Sequence, residues 1–252
     1  MGVERRPLNQ DSEIPPVNAP NPPSLSIIIP AVNEAHNFER FLNALSSFRS
    51  RGAEIIVVDG GSDDGTREIA APLADRITTA PRGRAAQMNA GAALARADVL
   101  LFLHADSLLP KDADTHILWA LARTKRVWGR FDIRIDSPHP ILLIVAMMIN
   151  FRTRLTGIAT GDQAIFVRRA AFRVAGGYKD IPLMEDIALS KALRAKSRPI
   201  SIAAKVVTSA RRWHQYGIFR TIFLMWRLRL AYFFGADPHK LASLYEGEKR
   251  GS

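Results

Sequence analysis

Beyond residue 24 the chain runs through short apolar or β-branched stretches, SLSIIIP, EIIVVDGG, RITTA and DVLLFLHAD, each closed by proline, glycine or a charged turn. Between them the apolar positions take helical spacing: Phe38, Phe41, Leu42, Leu45 and Phe48 in the first interval, and Met88, Ala92, Leu94 and Ala95 in the third. A shorter helix is expected after Asp63 and Asp64, which are good helix-start residues. Strand and helix alternate about every 25 residues, the pattern of right-handed βαβ units in a mostly parallel sheet. A doubly wound α/β half is therefore predicted from Leu25 to Pro110. Ligands collect at the carboxyl ends of strands in such sheets, which puts Pro30 to Glu34, Asp59 to Ser62 and His104 to Asp106 on one rim.

After Pro110 the pattern loosens. DADTHILWALART reads as a helix, VWGRFDIRI as a strand, GDQAIFVRR as a strand entering a helix, and MEDIALSKALRAK as a helix with Glu185 and Asp186 in its first turn. PILLIVAMMINF is too short to cross a membrane, and Tyr216 to Phe234 is interrupted by Arg220, Arg227 and Arg229, so no span of about 18 apolar residues is predicted. Rich in Phe, Leu, Trp and Arg, residues 216–234 suit an amphipathic helix in the membrane interface. Packing on the main domain or on a second copy, as a homodimer, is the alternative. The resulting division is a flexible tail over 1–24, a main domain over 25–210 and a C-terminal helical segment over 211–252.

The chain has 252 residues, 47% hydrophobic, enough for one large core. With no cysteine it can hold neither disulfides nor a Cys-based zinc site; this fits a reducing compartment, and a cytoplasmic location, with peripheral contact at the inner membrane face, is expected. The first residues lack the apolar stretch of a secretory signal. Net charge is +11, and Lys205 to Arg229 holds six Lys or Arg with no acid. Such a surface suits nucleic acid, anionic lipid or phosphorylated small molecules. No nucleic-acid motif is present and the acidic rim would repel a phosphate backbone, so a nucleic-acid binder is the weaker alternative and no nucleic-acid partner is expected.

DGGSDDGT, Asp59 to Thr66, lacks the Gly-Lys of a Walker loop and the G-x-G-x-x-G of a Rossmann turn, and its aspartates would repel a phosphate from the helix amides. Asp59 could accept hydrogen bonds from a base or ribose; the plainer reading is a strand-turn-helix capped by Asp63 or Asp64. PAVNEAHN offers Asn33 and Glu34 on the same rim, either as ligands or as caps. Arg82 and Arg84 open a helix, where the dipole and their planar donor forks suit an anion, unless they are simply solvated. In LLFLHADSLLP, His104 and Asp106 end a buried strand either as a turn or as a metal-facing site.

Taken together, PAVNE, VVDGGSDDGT, GRAAQMNAG, HADS and MED resemble, in order and spacing, the motifs of family 2 glycosyltransferases of GT-A fold, over roughly Leu25 to Arg198. His-Ala-Asp together with Gly161, Asp162 and Gln163 resembles a small bacterial branch of that family. The resemblance implies an α/β fold with a mostly parallel central sheet flanked by helices, and an inverting transfer from a nucleotide-diphospho-sugar to an unidentified acceptor hydroxyl on a polysaccharide, lipid or small molecule. It implies that Pro30, Asn33, Glu34, Asp59, Ala105 and Arg84, with Arg82 nearby, bind the nucleotide, and that Asp106 holds Mn²⁺ or Mg²⁺. His104, standing where the family has its first aspartate, is either a second ligand, a side chain packed on the sheet end or a contact to the sugar, and His214 is a more distant candidate. Asp186 is expected to be the base, with Glu185 the alternative, and Gly161, Asp162, Gln163, Arg211, Arg212 and Trp213 are expected around sugar and acceptor. A nucleotide-sugar-binding protein without catalysis is the rival reading.

Overall fold

The computed structural model describes residues 22–250; the expected tail over 1–24 therefore lies almost wholly outside the described residues. Its centre is one eight-stranded sheet in the order β3-β2-β1-β4-β7-β6-β8-β5. The strands are β1 (Leu25–Ala31), β2 (Ala53–Asp59), β3 (Arg76–Thr79), β4 (Val99–Phe102), β5 (Ser107–Leu108), β6 (Trp128–Asp136), β7 (Phe166–Arg168) and β8 (Ile200–Ser209). Strands β3, β2, β1 and β4 are parallel neighbours, and β8 is parallel to β6; β7 runs antiparallel between β4 and β6, and β5 antiparallel to β8.

The alternation within SLSIIIP and EIIVVD sorts side chains into two layers. Ile27, Ile29, Ile55, Val57 and Leu101 point to one core, which is closed by Phe38, Phe41 and Leu42 of α1 (Ala35–Asn43), Phe48 of α2 (Ser46–Ser50), Ala70 of α3 (Thr66–Ala70) and Ile117 of α5 (Ala113–Ala122). Ile28, Ile56, Val58, Leu100 and Phe102 point the other way, onto Met88 and Ala92 of α4 (Arg84–Leu94), Phe172 of α7 (Arg169–Val174) and Leu189 and Leu193 of α8 (Glu185–Arg194). Each buried Ile, Leu or Phe contributes about 1.5–3 kcal/mol, so a one-residue slip that turned β1 over would forfeit several such terms at once. Helix α4 lies unusually close to the sheet: a Cβ at Gly91 would stand 2.4 Å from Ile28 Cγ2. Gln87 on the same helix is fully buried and donates Nε2 to Ala31 O (3.0 Å) and Val58 O (2.8 Å), tying the helix to the ends of β1 and β2.

The second half departs from simple alternation. Helix α6 (Pro140–Thr156) starts with proline in its first turn and is terminated by Gly157 in the left-handed conformation. It extends well past the apolar run seen in the sequence and lays Leu142 and Ala146 on Ile133 and Ile135 of β6. The C-terminal region forms α9 (Arg211–Tyr216), α10 (Ile218–Phe233) and α11 (Pro238–Arg250). Leu224 and Leu228 of α10 pack with Leu241 of α11 on Met184 and Ile187. Among the described residues no helix is long and apolar enough to cross a membrane.

Candidate active site

A cleft of about 470 Å³ opens where the carboxyl end of β4, the start of α4 and the start of α8 meet. Its polar floor is formed by Arg84, His104, Asp106, Gly161, Asp162, Glu185 and Asp186. The opposite side is apolar, with Ile141, Ile144 and Met148 from α6 and Ile222, Met225 and Trp226 from α10, joined by Trp213, Tyr216 and Arg229.

The two loops at the ends of β1 and β2 are clasped together beside this cleft. Asn33, in the left-handed conformation that asparagine tolerates, donates its backbone N to Ser62 Oγ (3.0 Å) and accepts at Oδ1 from Asp63 N (3.1 Å). Glu34 N donates to Thr66 Oγ1 (2.9 Å) and Ala35 N to Asp64 Oδ2 (3.0 Å), so Asp64 serves the start of α1 as well as its own turn. Asp59 is buried and its carboxylate accepts from Gly61 N (3.0 Å), Ser62 N (3.2 Å) and Ser62 Oγ. The ends of β1 and β2, with Pro30, Asn33, Glu34 and Asp59, thus form an adjoining platform, and neither these residues nor Ala105 belong to the cleft lining. Much of the hydrogen-bonding capacity of Asn33 and Asp59 is spent on the platform itself. Glu34 is half-buried, and this burial raises its pKa against the opposing charge of Arg211.

His104 lies two residues beyond Phe102, the buried end of β4. Its Nε2 is buried without a hydrogen-bond partner, and a Cβ at Gly161 would lie 2.5 Å from both Cε1 and Nε2, so only glycine lets that turn close over the ring. Burial, reinforced by the nearby Arg84 charge, lowers the His104 pKa to about 4, leaving a neutral imidazole at physiological pH. Asp106, two residues on, is exposed to the cleft, and its carbonyl accepts from Ser209 N (3.1 Å), which docks the loop on β8.

The second carboxylate pair opens α8. Met184 before it is left-handed (φ 69°), a turn that aims Glu185 and Asp186 into the cleft. Asp186 accepts at Oδ2 from Gly161 N (2.8 Å) and at Oδ1 from Ile187 N (2.7 Å), which fixes its plane and leaves each oxygen further acceptor capacity. Glu185 is buried, with Arg84 Nη1 3.9 Å from its Oε1. Burial and the adjacent Asp186 charge push its pKa up to about 7. Tyr178, packed edge-on against Phe102, is buried near the pair with its hydroxyl unpartnered.

Of the residues expected around sugar and acceptor, Gly161, Asp162, Arg211, Arg212 and Trp213 line the cleft. Gln163 is turned inward: its Oε1 accepts from Thr160 N (3.1 Å) and Thr153 Oγ1 (3.0 Å), so its amide holds the Gly161–Gln163 turn in place of a ligand. His214 is exposed on α9, outside the lining, and Arg82 is exposed ahead of α4. The sequence reading missed Arg229, Met148 and Ile144 as cleft residues and Gln87 as the tie beneath it. Arg229 carried the one available signal, a cation inside an apolar stretch.

Among the described residues no three or more His, Asp or Glu side chains form a ready-made metal cluster. The donors present, the exposed Asp106 carboxylate and the neutral His104, match a cation held by one carboxylate and completed by substrate phosphates, as Mg²⁺ and Mn²⁺ commonly are. The residues therefore fit such an ion.

A parallel sheet with an antiparallel insertion, with an acidic residue after its fourth strand and a carboxylate pair on the floor of the same cleft, matches the GT-A glycosyltransferase fold of solved structures. In agreement, the mannosyltransferase PcManGT of Pyrobaculum calidifontis, solved with GDP-Man and Mn²⁺, superposes with TM-score 0.59 at 19% identity, covering 90% of this chain and 69% of that one. The S. aureus TarS structure with UDP-GlcNAc gives TM-score 0.58 at 16% identity over 73% of this chain and 58% of that one. The sequence model of glycosyl transferase family 2 matches residues 26–174, and the chain belongs to that family. Among curated relatives, glycosyltransferase AglE of Haloferax volcanii is 37% identical over 93 residues, 33% of this chain and 31% of that protein. A PGL/p-HBAD biosynthesis glycosyltransferase of Mycobacterium bovis is 33% identical over 173 residues, 62% of this chain and 63% of that protein. The matches thus span less than two thirds of these relatives.

Proposed function

We propose that the protein is an inverting glycosyltransferase that moves a sugar from a nucleotide-diphospho-sugar to an acceptor hydroxyl, with Asp186 as base. The carrying observation is the Asp186 carboxylate, anchored by two backbone amides and sharing the polar floor of the cleft with Asp106 and Arg84. In this reading the acceptor oxygen forms a bond to the anomeric carbon, the bond from that carbon to the diphosphate breaks, its electron pair leaves with the nucleoside diphosphate, and the acceptor proton passes to Asp186. The PAVNE and DGGSDDGT platform seats the nucleoside, and Arg84, beside Glu185, lies near the diphosphate. Asp106 would hold Mn²⁺ or Mg²⁺, which supplies positive charge to the leaving diphosphate; the presence of Mn²⁺ in the PcManGT structure supports this. Residues 216–234 are assigned to peripheral contact at a membrane face.

The test is Asp186→Asn. Sugar transfer or donor hydrolysis should fall by about a thousand-fold or more, while UDP or GDP binding in the presence of Mn²⁺ changes little. Normal turnover by this variant would place the base elsewhere.

A further inference from the structure

Twelve of the sixteen exposed large apolar side chains among the described residues lie on α6 or on α10 and its end. On α6 they are Leu143, Ile144, Met147, Met148, Phe151 and Leu155, and on α10 they recur every three or four residues from Phe219 through Phe223, Trp226 and Leu230 to Phe233. Such spacing makes one continuous stripe on each helix. Each stripe lies apart from the positions already buried, Leu142 and Ala146 on α6 and Leu224 and Leu228 on α10. The stripes also run into the cleft: Ile144, Met148 and Trp226 are at once exposed and part of its lining. An apolar path therefore leads from the outer surface, between two helices, to the chamber that holds Asp186.

The charge on the two helices indicates what covers them. On α6 the Arg152 Nε is buried and Arg154 is paired with Asp132, while on α10 Arg220 and Arg227 are exposed and Arg229 borders the cleft; neither helix carries a carboxylate. A second copy laid on this face would bring like charge against like charge, whereas an anionic leaflet would meet arginines that keep their heads at the headgroups while the apolar stripes enter the acyl boundary. The exposed apolar area is also far more than scattered surface residues would supply. We infer that α6 and α10 dock on an anionic membrane surface and admit a lipid acceptor, whose hydroxyl-bearing head reaches Asp186 while its hydrocarbon stays between the two helices. This rests on the glycosyltransferase reading for the identity of the hydroxyl as acceptor, but the docking itself does not.

The experiment uses the full chain. Flotation with vesicles of phosphatidylcholine containing about one-third phosphatidylglycerol should carry the protein to the top of the gradient, and pure phosphatidylcholine should carry far less. Phe151→Glu combined with Phe223→Glu, two stripe positions outside the cleft lining, should lower the bound fraction roughly ten-fold or more, while Val174→Glu, an exposed apolar site elsewhere, should not change it. Quenching of tryptophan fluorescence, with Trp213 and Trp226 in the cleft, should show octyl glucoside below its micelle concentration binding at least about ten-fold more tightly than methyl glucoside, which has the same hydroxyls. The inference is overturned by absence of flotation, by equal flotation of the double variant, by equal affinity for the two glucosides, or by a wild-type dimer in light scattering that the double variant dissociates. Calorimetry of UDP and GDP with Mn²⁺ on the same samples separates the two claims: loss of nucleotide binding with intact flotation would count against the donor site alone.

Discussion

Glu185→Gln should make the protein more stable, and increasingly so as pH rises. Glu185 is buried with its pKa raised from 4.5 to about 7, first by burial and then by the charge of Asp186. The folded state therefore holds a proton that the unfolded chain releases between these values. A raised carboxylate pKa gives a contribution to stability that is full below about pH 4.5 and is lost as pH climbs through 7. The shift corresponds to about 3 kcal/mol in total, of which roughly 2–3 kcal/mol falls between about pH 5 and pH 8. Glutamine keeps the shape of the protonated acid and never ionises, so it escapes this loss. It also forfeits the contact to Arg84, but at 3.9 Å and with the Arg84 side chain 49% exposed, that pair is worth little. Urea denaturation of wild type and variant, followed by tryptophan fluorescence from about pH 5 to pH 8, reads the difference directly, because all other titrating groups are common to both proteins. The variant should be close to wild type at the acid end and roughly 2–3 kcal/mol more stable at the alkaline end. A difference that stays flat with pH would mean that Glu185 is ionised in the folded protein at an ordinary pKa, and that the burial argument for the carboxylate pair is wrong.

Asp106→Ala should abolish the dependence of UDP or GDP binding on Mn²⁺, measured by calorimetry with and without chelator; a variant that still responds fully to the ion would remove Asp106 from the cation site. Gly161→Ala should cost about 1–3 kcal/mol, because its Cβ would stand 2.5 Å from the His104 ring, and adding His104→Ala should recover much of the loss in the same denaturation assay. Failure of that rescue would show that the strain lies elsewhere in the turn.

The parallel half of the fold was legible because its central strands β1, β2 and β4 are buried on both faces and closed by a turn that allows few residues. SLSIIIP and EIIVVDGG became β1 and β2 in register from Leu25 opposite Ala53 to Ala31 opposite Asp59, and GRAAQMNAG became α4, whose Gly91 and Gln87 are needed for its close seat on the sheet. Strand β8 escaped notice because buried and exposed positions alternate irregularly along it and its alanines carry no strand signal, and it is specified by pairing with β6 across about 70 residues of chain. Gln163 shows the opposite hazard. A polar residue beside Gly161 and Asp162 reads as a ligand, yet its side chain satisfies Thr160 and Thr153 in the interior.

The two sides of the cleft differ in legibility for the same physical reason. The polar side and the platform beside it, to which the proposal gives the donor, are built from strand ends, where the chain itself fixes which side chains share a rim: His104 and Asp106 follow β4, Asp59 ends β2 and Glu34 follows β1. Local sequence therefore carries most of the information. The other side is made by α6 and α10, more than sixty residues apart, and whether Ile144, Met148 and Trp226 face a core, solvent or a cleft depends on how those helices dock. An apolar helix face looks the same in sequence whether it is buried in the protein or left for a partner. On the inferred docking, Arg220 and Arg227 would lie at the headgroups beside the apolar stripe and Arg229 at the mouth of the cleft. Acceptor choice in this protein is therefore expected to follow the surfaces of α6 and α10, while donor choice follows the strand-end loops, and exchanging either set should change one specificity without the other.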